Sequence, residues 1–297
     1  MTDTVVEVDG ERLRVRNLDK VLYPAVGFTK AEVIDYYVRI APAMLPHVSG
    51  RGVTFKRFPD GVDGGSFFEK RCPGHRPTFV GTVTGPGDRD GGIEYCCLDS
   101  VAALAWAGNM AALEIHAPMA SGADIEAPRA CVFDLDPGAP ADIVDCCRVG
   151  LEIRDVLDGI GLECVAKTSG SKGLQLYLPL NRPHTHQHSS EFAHAVAQVL
   201  EKHRPDAVTS IMAKRERTGK VFVDWSQNSR HKTTIAAYSL RARPTPTVST
   251  PVTWDEVSDG ADGSPLQFDA GSVLDRVASR GDLFAAVADL EQELPST

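Results

Sequence analysis

Cys131-Val132-Phe133-Asp134-Leu135-Asp136-Pro137 is the stretch on which the reading of this chain turns. Val132 and Phe133 favour a strand, and Pro137-Gly138 ends it. Side chains alternate along a strand, so Asp134 and Asp136 project from one face and Leu135 points the other way, into a core. Two carboxylates held ~7 Å apart on one face repel each other unless a positive charge lies between them, and a divalent cation is the economical answer. The plainer reading is that the strand has already ended and both aspartates are solvated turn residues. The rest of the chain has to decide between the two.

A second strand carries the strongest vote. Val221-Phe222-Val223-Asp224-Trp225 places one aspartate inside an apolar run. Such a group costs several kcal/mol unless it is paired or bound to metal. Asp224 is therefore the natural third member of the set. Between the two strands lies a helix over 141–160, then a strand starting at 164–167, the loop Thr168-Ser169-Gly170-Ser171-Lys172-Gly173, and a strand over 174–179. Small residues let backbone N–H groups approach a phosphate, and Lys172 adds charge. Standing alone, the loop reads more readily as a flexible surface loop, and no Walker A pattern occurs. Ser226-Gln227-Asn228 begins a polar loop, and a strand expected over 235–240 ends at Arg241 and Arg243, residues suited to bidentate phosphate contact.

Toward the N-terminus, 5–8 and 12–15 alternate around Asp9-Gly10, a hairpin signal. Thr29 with Glu32 forms a capping-box pattern that opens a helix over 30–47. Lys20 and Lys30 flank that helix start, where free N–H groups suit an anion, although ordinary exposed lysines read the same way. A strand over 53–58 carries Lys56. Phe67-Phe68-Glu69-Lys70 pairs two aromatics, of which alternation puts one in the core and leaves the other as a stacking platform for a base. Residues 72–92 read as a loop around a short strand near 79–83. A strand over 93–98, a helix from 100 to 110 and a short strand over 113–116 follow, and His116 is either a ligand-facing donor or a structural histidine. Residues 117–130 read as a linker. His184, His186 and His188 alternate and could share a metal, but no cysteine or carboxylate stands beside them, so a solvated loop is preferred, ahead of a helix over about 190–203. The proline-rich stretch after 243 leads to helices over 271–278 and 283–290.

Bulk properties exclude several classes. No run of about 18 apolar residues occurs, so no transmembrane helix is expected. The N-terminus, Met1-Thr2-Asp3-Thr4, lacks the apolar core of a signal peptide, and the expected location is the cytosol. The seven cysteines contain no Cys-x-x-Cys, which argues against a zinc ribbon or redox motif and for reduced, mostly buried thiols. The net charge of −9 is unevenly spread: residues 201–243 carry ten Lys+Arg against four Asp+Glu, while 244–297 carry two against ten. The basic block binds phosphate locally or is simply a solvated face.

Three carboxylates on two strands, a lysine-bearing small-residue loop and strand-end arginines suit nucleotidyl transfer. Phe133–Gly138, Thr168–Leu174 and Val221–Asn228 resemble the polymerase domain of bacterial ATP-dependent DNA ligase D, of the archaeo-eukaryotic primase superfamily. Asn17–Pro24, Phe67–Lys70, Leu113–His116 and Tyr238–Arg243 extend the resemblance over essentially the whole chain. No Lys-x-Asp-Gly ligase motif occurs, so the resemblance is to a free-standing form. It implies an α+β fold with mixed β-sheets flanked by helices, in one primase-polymerase domain: an N-terminal subdomain over about 1–116, catalytic strands and loops over about 117–243, and a C-terminal segment over 244–297.

By matching position, the resemblance implies that Asp134, Asp136 and Asp224 are catalytic and hold two metal ions, Mn2+ or Mg2+. Lys56, His116, Ser169, Lys172, Gln227 and Arg241 would contact the incoming nucleotide, Lys20 and Lys30 a DNA 5′-phosphate, and Phe67 or Phe68 the template. The expected substrates are NTP or dNTP, with ribonucleotides preferred, and gapped or broken duplex DNA. A DNA ligase and an end-binding protein are the implied partners of a monomer at the bacterial nucleoid. Gln175 departs from the family pattern, which usually has a histidine at this nucleotide-binding position. Glutamine donates a hydrogen bond but cannot become cationic, so weaker nucleotide binding is expected, and Gln175→His would tighten it. Two alternatives stand: a non-catalytic binder of DNA ends, and a two-metal phosphodiesterase.

Overall fold

The computed structural model describes residues 4–87 and 91–295. Met1–Asp3, on which the leader reading partly rests, and residues 88–90 of the expected 72–92 loop lie outside the described residues. The chain gathers into two compact units. The first comprises 1–123, 233–249 and 268–281; the second comprises 124–232, 250–267 and 282–297.

In the first unit, Thr4–Val8 and Glu11–Val15 pair antiparallel across Asp9 and Gly10, both at positive φ, the turn that Asp-Gly favours. The Lys30–Val48 helix opens on the expected capping box, Thr29 accepting from the Glu32 N–H while the Glu32 carboxylate accepts from the Thr29 N–H. Its buried face carries Tyr36 and Tyr37, whose hydroxyls donate to the Tyr238 and Leu113 carbonyls and so bury rings without orphaning a polar tip. The Val101–Asn109 helix packs on it through Gly108, where an added Cβ would meet Ile34 Cα at 3.3 Å. A four-stranded antiparallel sheet runs in the order Thr234–Ile235, Ala112–Ala117, Thr54–Arg57, Phe67–Glu69.

In the second unit, a six-stranded mixed sheet runs in the order Val208–Thr209, Val221–Asp224, Ala130–Pro137, Leu174–Pro179, Val165–Thr168, Pro251–Val252. Only the Val208–Thr209 pairing is parallel. Ala130–Pro137 is central, antiparallel to both neighbours. Phe133 and Leu135 are fully buried on one face. Phe133 meets Phe192 of the His186–His203 helix. On the Ile143–Asp158 helix, an added Cβ at Gly150 would lie 3.7 Å from Leu135 and 2.9 Å from Leu174, so that helix sits closely on the same face. The aspartates alternate onto the opposite face. The Trp254–Ala261 helix packs against Ile143–Asp158.

Several expectations need correction. Cys72 and Cys96 form a disulfide with Cα atoms 4.8 Å apart, so not all thiols are reduced; the other five cysteines are buried thiols. The two partners are brought together by tertiary packing across 24 residues, which spacing rules do not see. The 117–130 linker contains strands at Ala120–Ser121 and Asp124–Pro128. The strand near 79–83 lies at Thr82–Gly85. The strand expected over 235–240 shrinks to Thr234–Ile235, because Tyr238 turns the chain at φ +66°. His186 and His188 begin a helix capped by Thr185, and His186 is occupied by the Asn228 and Ile125 carbonyls. The last helix spans only Ala286–Asp289.

Candidate functional site

The carboxylate site is assembled by register. Asp134 lies directly opposite Asp224 across one strand pair and opposite Gln175 across the other. Asp136 follows two residues on, on the same face. The stretch that began as either turn or strand is strand through Pro137. Burial and the neighbouring Asp224 charge push the Asp134 carboxyl up to about 6, against the pull of the Gln175 hydrogen bond and Lys167. Its Oδ1 accepts from Gln175 Nε2 at 3.0 Å. Asp224 accepts from the Ser226 N–H and hydroxyl on Oδ1 and from Gln227 Nε2 at 2.8 Å on Oδ2.

Asp136 is flanked by cations. Lys172 Nζ lies 2.8 Å from its Oδ1 and also donates to the Pro137 carbonyl, while Arg217 lies 3.5 Å from Oδ2 with its guanidinium over the Phe222 ring. The Lys172 loop is built by Ser169. Its hydroxyl accepts from the Ser171 and Gly173 N–H groups, and its own N–H donates to the Gly173 carbonyl. Gly173 is required because an added Cβ would fall 2.3 Å from the Leu135 carbonyl oxygen. Asn228 ties the neighbouring turn to the central strand, its amide exchanging hydrogen bonds with the Val132 N–H and carbonyl.

The expected nucleotide donors thus fall into two groups. Ser169, Lys172, Gln175 and Gln227 surround the aspartates in the second unit. Ser169 shapes the loop, and Gln175 and Gln227 donate to Asp134 and Asp224, so their protein partners are structural as they stand. Lys56, His116 and Arg241 gather in the first unit. There, Glu114 is 3% exposed and accepts from His116 Nε2 at 3.0 Å and the Ala242 N–H at 3.2 Å, with Arg241 Nε 3.5 Å away. Burial alone would raise the Glu114 carboxyl, but the His116 hydrogen bond and the Arg241 charge prevail and hold it at about 2. Burial lowers His116, in spite of Glu114. Lys56 pairs across strands with Glu114 on one side and Phe68 on the other, its ammonium 5.6 Å from the Phe68 ring.

Phe67 and Phe68 correct the one-in, one-out expectation, since both are exposed, at 46% and 59%. On the edge strand Phe67–Glu69 neither face is covered: Phe67 lies over the Arg57 guanidinium and Phe68 meets the His116 ring edge-on. Lys20 and Lys30 come together where the Lys30 N–H donates to the Lys20 carbonyl. Lys20 pairs with Asp60 at 2.7 Å, and Lys30 Nζ donates to the Arg16 carbonyl. Burial, then the Lys20 charge, lower Lys30 to about 8.

Sequence reasoning missed Glu114, Lys167 and Arg217. Glu114 stands in an apolar strand just as Asp224 does, so the same cost argument would have found it. Arg217 had only its place in a basic run, and Lys167 had no signal.

Among the described residues, no three His, Cys, Asp or Glu side chains are grouped so as to hold a metal ion as they stand; Asp134, Asp224 and Asp136 each meet a protein donor, Gln175, Gln227 and Lys172 respectively. The donor set's chemistry still suits a hard divalent cation: three carboxylates on adjacent strands, two of them opposed, with burial and then the Asp224 charge hindering ionisation of Asp134.

The second unit thus carries opposed aspartates on a mixed sheet beside a lysine-bearing loop, and the first carries a cluster of cations and aromatics. Residues 29–284 match the family model described as LigD, primase-polymerase domain, and the chain belongs to that family. It is 46% identical over 279 residues to the multifunctional non-homologous end joining protein LigD of Mycolicibacterium smegmatis, covering 93% of this chain and 36% of that protein. It is 31% identical over 271 residues to the bifunctional non-homologous end joining protein LigD of Bacillus subtilis, covering 91% and 43%. The chain therefore spans well under half the length of these curated relatives. Among solved structures, the polymerase domain from Mycobacterium tuberculosis Ligase D in complex with DNA superposes with a TM-score of 0.88 at 43% identity, covering 95% of this chain and 99% of that one.

Proposed function

We propose that the chain is a metal-dependent, template-directed nucleotidyltransferase of the primase-polymerase type, which adds nucleotides at DNA gaps or breaks during end joining. The observation that carries this is the opposed Asp134–Asp224 pair with Asp136 beside it, next to the Lys172 loop. The three aspartates would hold two divalent cations, Mn2+ or Mg2+. Such ions, once bound, make a primer 3′-hydroxyl more acidic and offset charge on the leaving pyrophosphate.

The chain's own residues account for the rest. Lys172 and Arg217 are positioned to exchange Asp136 for phosphate oxygens. Ser169 holds the loop N–H groups in place. Lys56, His116 and Arg241 supply donors that Glu114 orients, and the exposed Phe67 and Phe68 offer ring faces to bases. Lys20 and Lys30 take a 5′-phosphate. Ribonucleotide preference, a monomeric state, a nucleoid location and cooperation with a DNA ligase and an end-binding protein belong to the same reading, as does a single functional domain over 1–297. No helix among the described residues is long and apolar enough to cross a membrane.

The test is primer extension on a 5′-phosphorylated gapped duplex with Mn2+ and nucleotides. Wild type extends, and Asp136→Ala falls by at least about 100-fold, as expected when a group essential to the transition state is lost. Gap binding without extension would favour the end-binding alternative. Release of nucleotides from DNA with no triphosphate consumed would favour the phosphodiesterase.

A further inference from the structure

The register that opposes Asp134 to Asp224 continues across the sheet. Lys167 pairs with Gln175, Gln175 with Asp134, and Asp134 with Asp224, so four side chains form one lateral row over four strands. Lys167 is wholly buried (0% exposed) and Gln175 nearly so, at 3%. Lys167 Nζ donates to Gln175 Oε1 and lies 5.4 Å from the Tyr177 ring. Gln175 Nε2 donates to Asp134 Oδ1 at 3.0 Å.

These contacts assign the amide. A lysine side chain only donates, and a carboxylate only accepts. The flat carboxamide must therefore turn its oxygen to Lys167 and its NH2 to Asp134. Reversed, it would set NH2 against the lysine N–H groups and oxygen against the carboxylate. Without Lys167, only Asp134 would discriminate between the two ends.

We propose that Lys167 is a positioning residue for Asp134: it locks the Gln175 amide so that its NH2 holds Oδ1, leaving Oδ2 for a divalent cation. Lys167 and Gln175 together thus provide at this place a donor that a histidine would provide alone. The inference rests on the reading of the aspartates as a metal site. It also changes the role of Gln175, from a donor to the nucleotide to a support of the metal ligand.

The test is Mn2+ binding to the protein without DNA or nucleotide, by titration calorimetry and by electron paramagnetic resonance of free Mn2+. The unfolding midpoint of every variant is measured alongside. Lys167→Met and Gln175→Met each weaken Mn2+ binding by roughly ten- to hundred-fold, the range seen when a support behind a metal ligand is removed. The two act through one amide, so the Lys167→Met/Gln175→Met double variant is no weaker than the worse single. It also replaces both buried polar partners by apolar groups of similar size, which favours folding if a single variant does not fold. Lys167→Met/Gln175→His regains most of the affinity, because a neutral imidazole N–H reaches Asp134 without help from a lysine.

Unchanged or tighter Mn2+ binding in Lys167→Met overturns the proposal, since a lysine acting only as a charge would repel the cation. Additive single effects, or no recovery in a folded Lys167→Met/Gln175→His, overturn it as well. Asp134→Asn separates the two readings. If it binds Mn2+ like wild type, the metal assignment fails and the positioning role with it. If it loses Mn2+ while Lys167→Met does not, only the positioning role fails.

Discussion

Residue by residue, buried charges such as Glu114, Asp134 and Lys167 are each answered by specific partners. Glu114 shows the balance most clearly. Its carboxyl is held at about 2 against an ordinary value of 4.5, with burial opposing and His116, Arg241 and the Ala242 N–H prevailing. A depressed carboxyl stabilises the fold above its unfolded pKa, and that contribution disappears as the pH falls from about 4.5 through 2. The shift corresponds to about 3 kcal/mol. His116, also lowered, is lost earlier: it must take up a proton in the unfolded chain as the pH falls below 6.5, which disfavours the folded state. Glu114→Gln is therefore expected to lower the urea-unfolding free energy by about 2–3 kcal/mol at pH 7, with the gap to wild type narrowing to about half by pH 3 and closing only near pH 2. An unchanged gap at pH 3 would show that the loss came from packing instead. Asp224 was legible in the sequence because an aspartate among Val, Phe and Trp demands a partner. Lys167 was not, since a lysine before a Ser-Gly loop reads as exposed until the register places it beside Gln175.

At the level of elements, local chemistry was readable wherever a pattern carries its own partner. The Thr29–Glu32 capping box and the Asp9-Gly10 turn formed as expected, because donor and acceptor lie within four residues. Phe67 and Phe68 were misread because alternation assumes one covered face, and nothing covers either face of this strand. The Lys172 loop depends on a close approach that composition hides. Gly173→Ala puts a Cβ 2.3 Å from the Leu135 carbonyl oxygen, so either the loop or the central strand must move. The expected result is a loss of about 1–3 kcal/mol in thermal unfolding and a raised KM for the nucleotide, as Lys172 is displaced from Asp136. A normal KM with lowered stability would separate the loop from nucleotide binding.

At the scale of the whole molecule, a chain of net charge −9 that binds DNA, as proposed, does so through local cations. Lys20 and Lys30 are the proposed 5′-phosphate contact, and burial, then the Lys20 charge, lower Lys30 to about 8. A lysine so lowered is charged below that value and loses its charge above it. The preference for a 5′-phosphorylated over an unphosphorylated gap, measured by fluorescence anisotropy, should therefore shrink as the pH rises from 7 to 9. A preference constant over that range would place the phosphate elsewhere.

By itself, the amino-acid order determined the strand carrying Asp134 and Asp136, the burial of Leu135, the claim of Asp224 to a partner, the capped helix after Thr29, and the family resemblance. The resemblance rests on several motifs in order along the whole chain; the others follow from period, propensity or the cost of burying charge, each within a short window of chain. Only the tertiary structure decided that Asp224 faces Asp134, that Gln175 is held by Lys167, that Glu114 gathers His116 and Arg241, and that Cys72 meets Cys96. Those are pairings between strands and segments far apart in the chain, and register is set by the packing of whole faces, which no local pattern encodes.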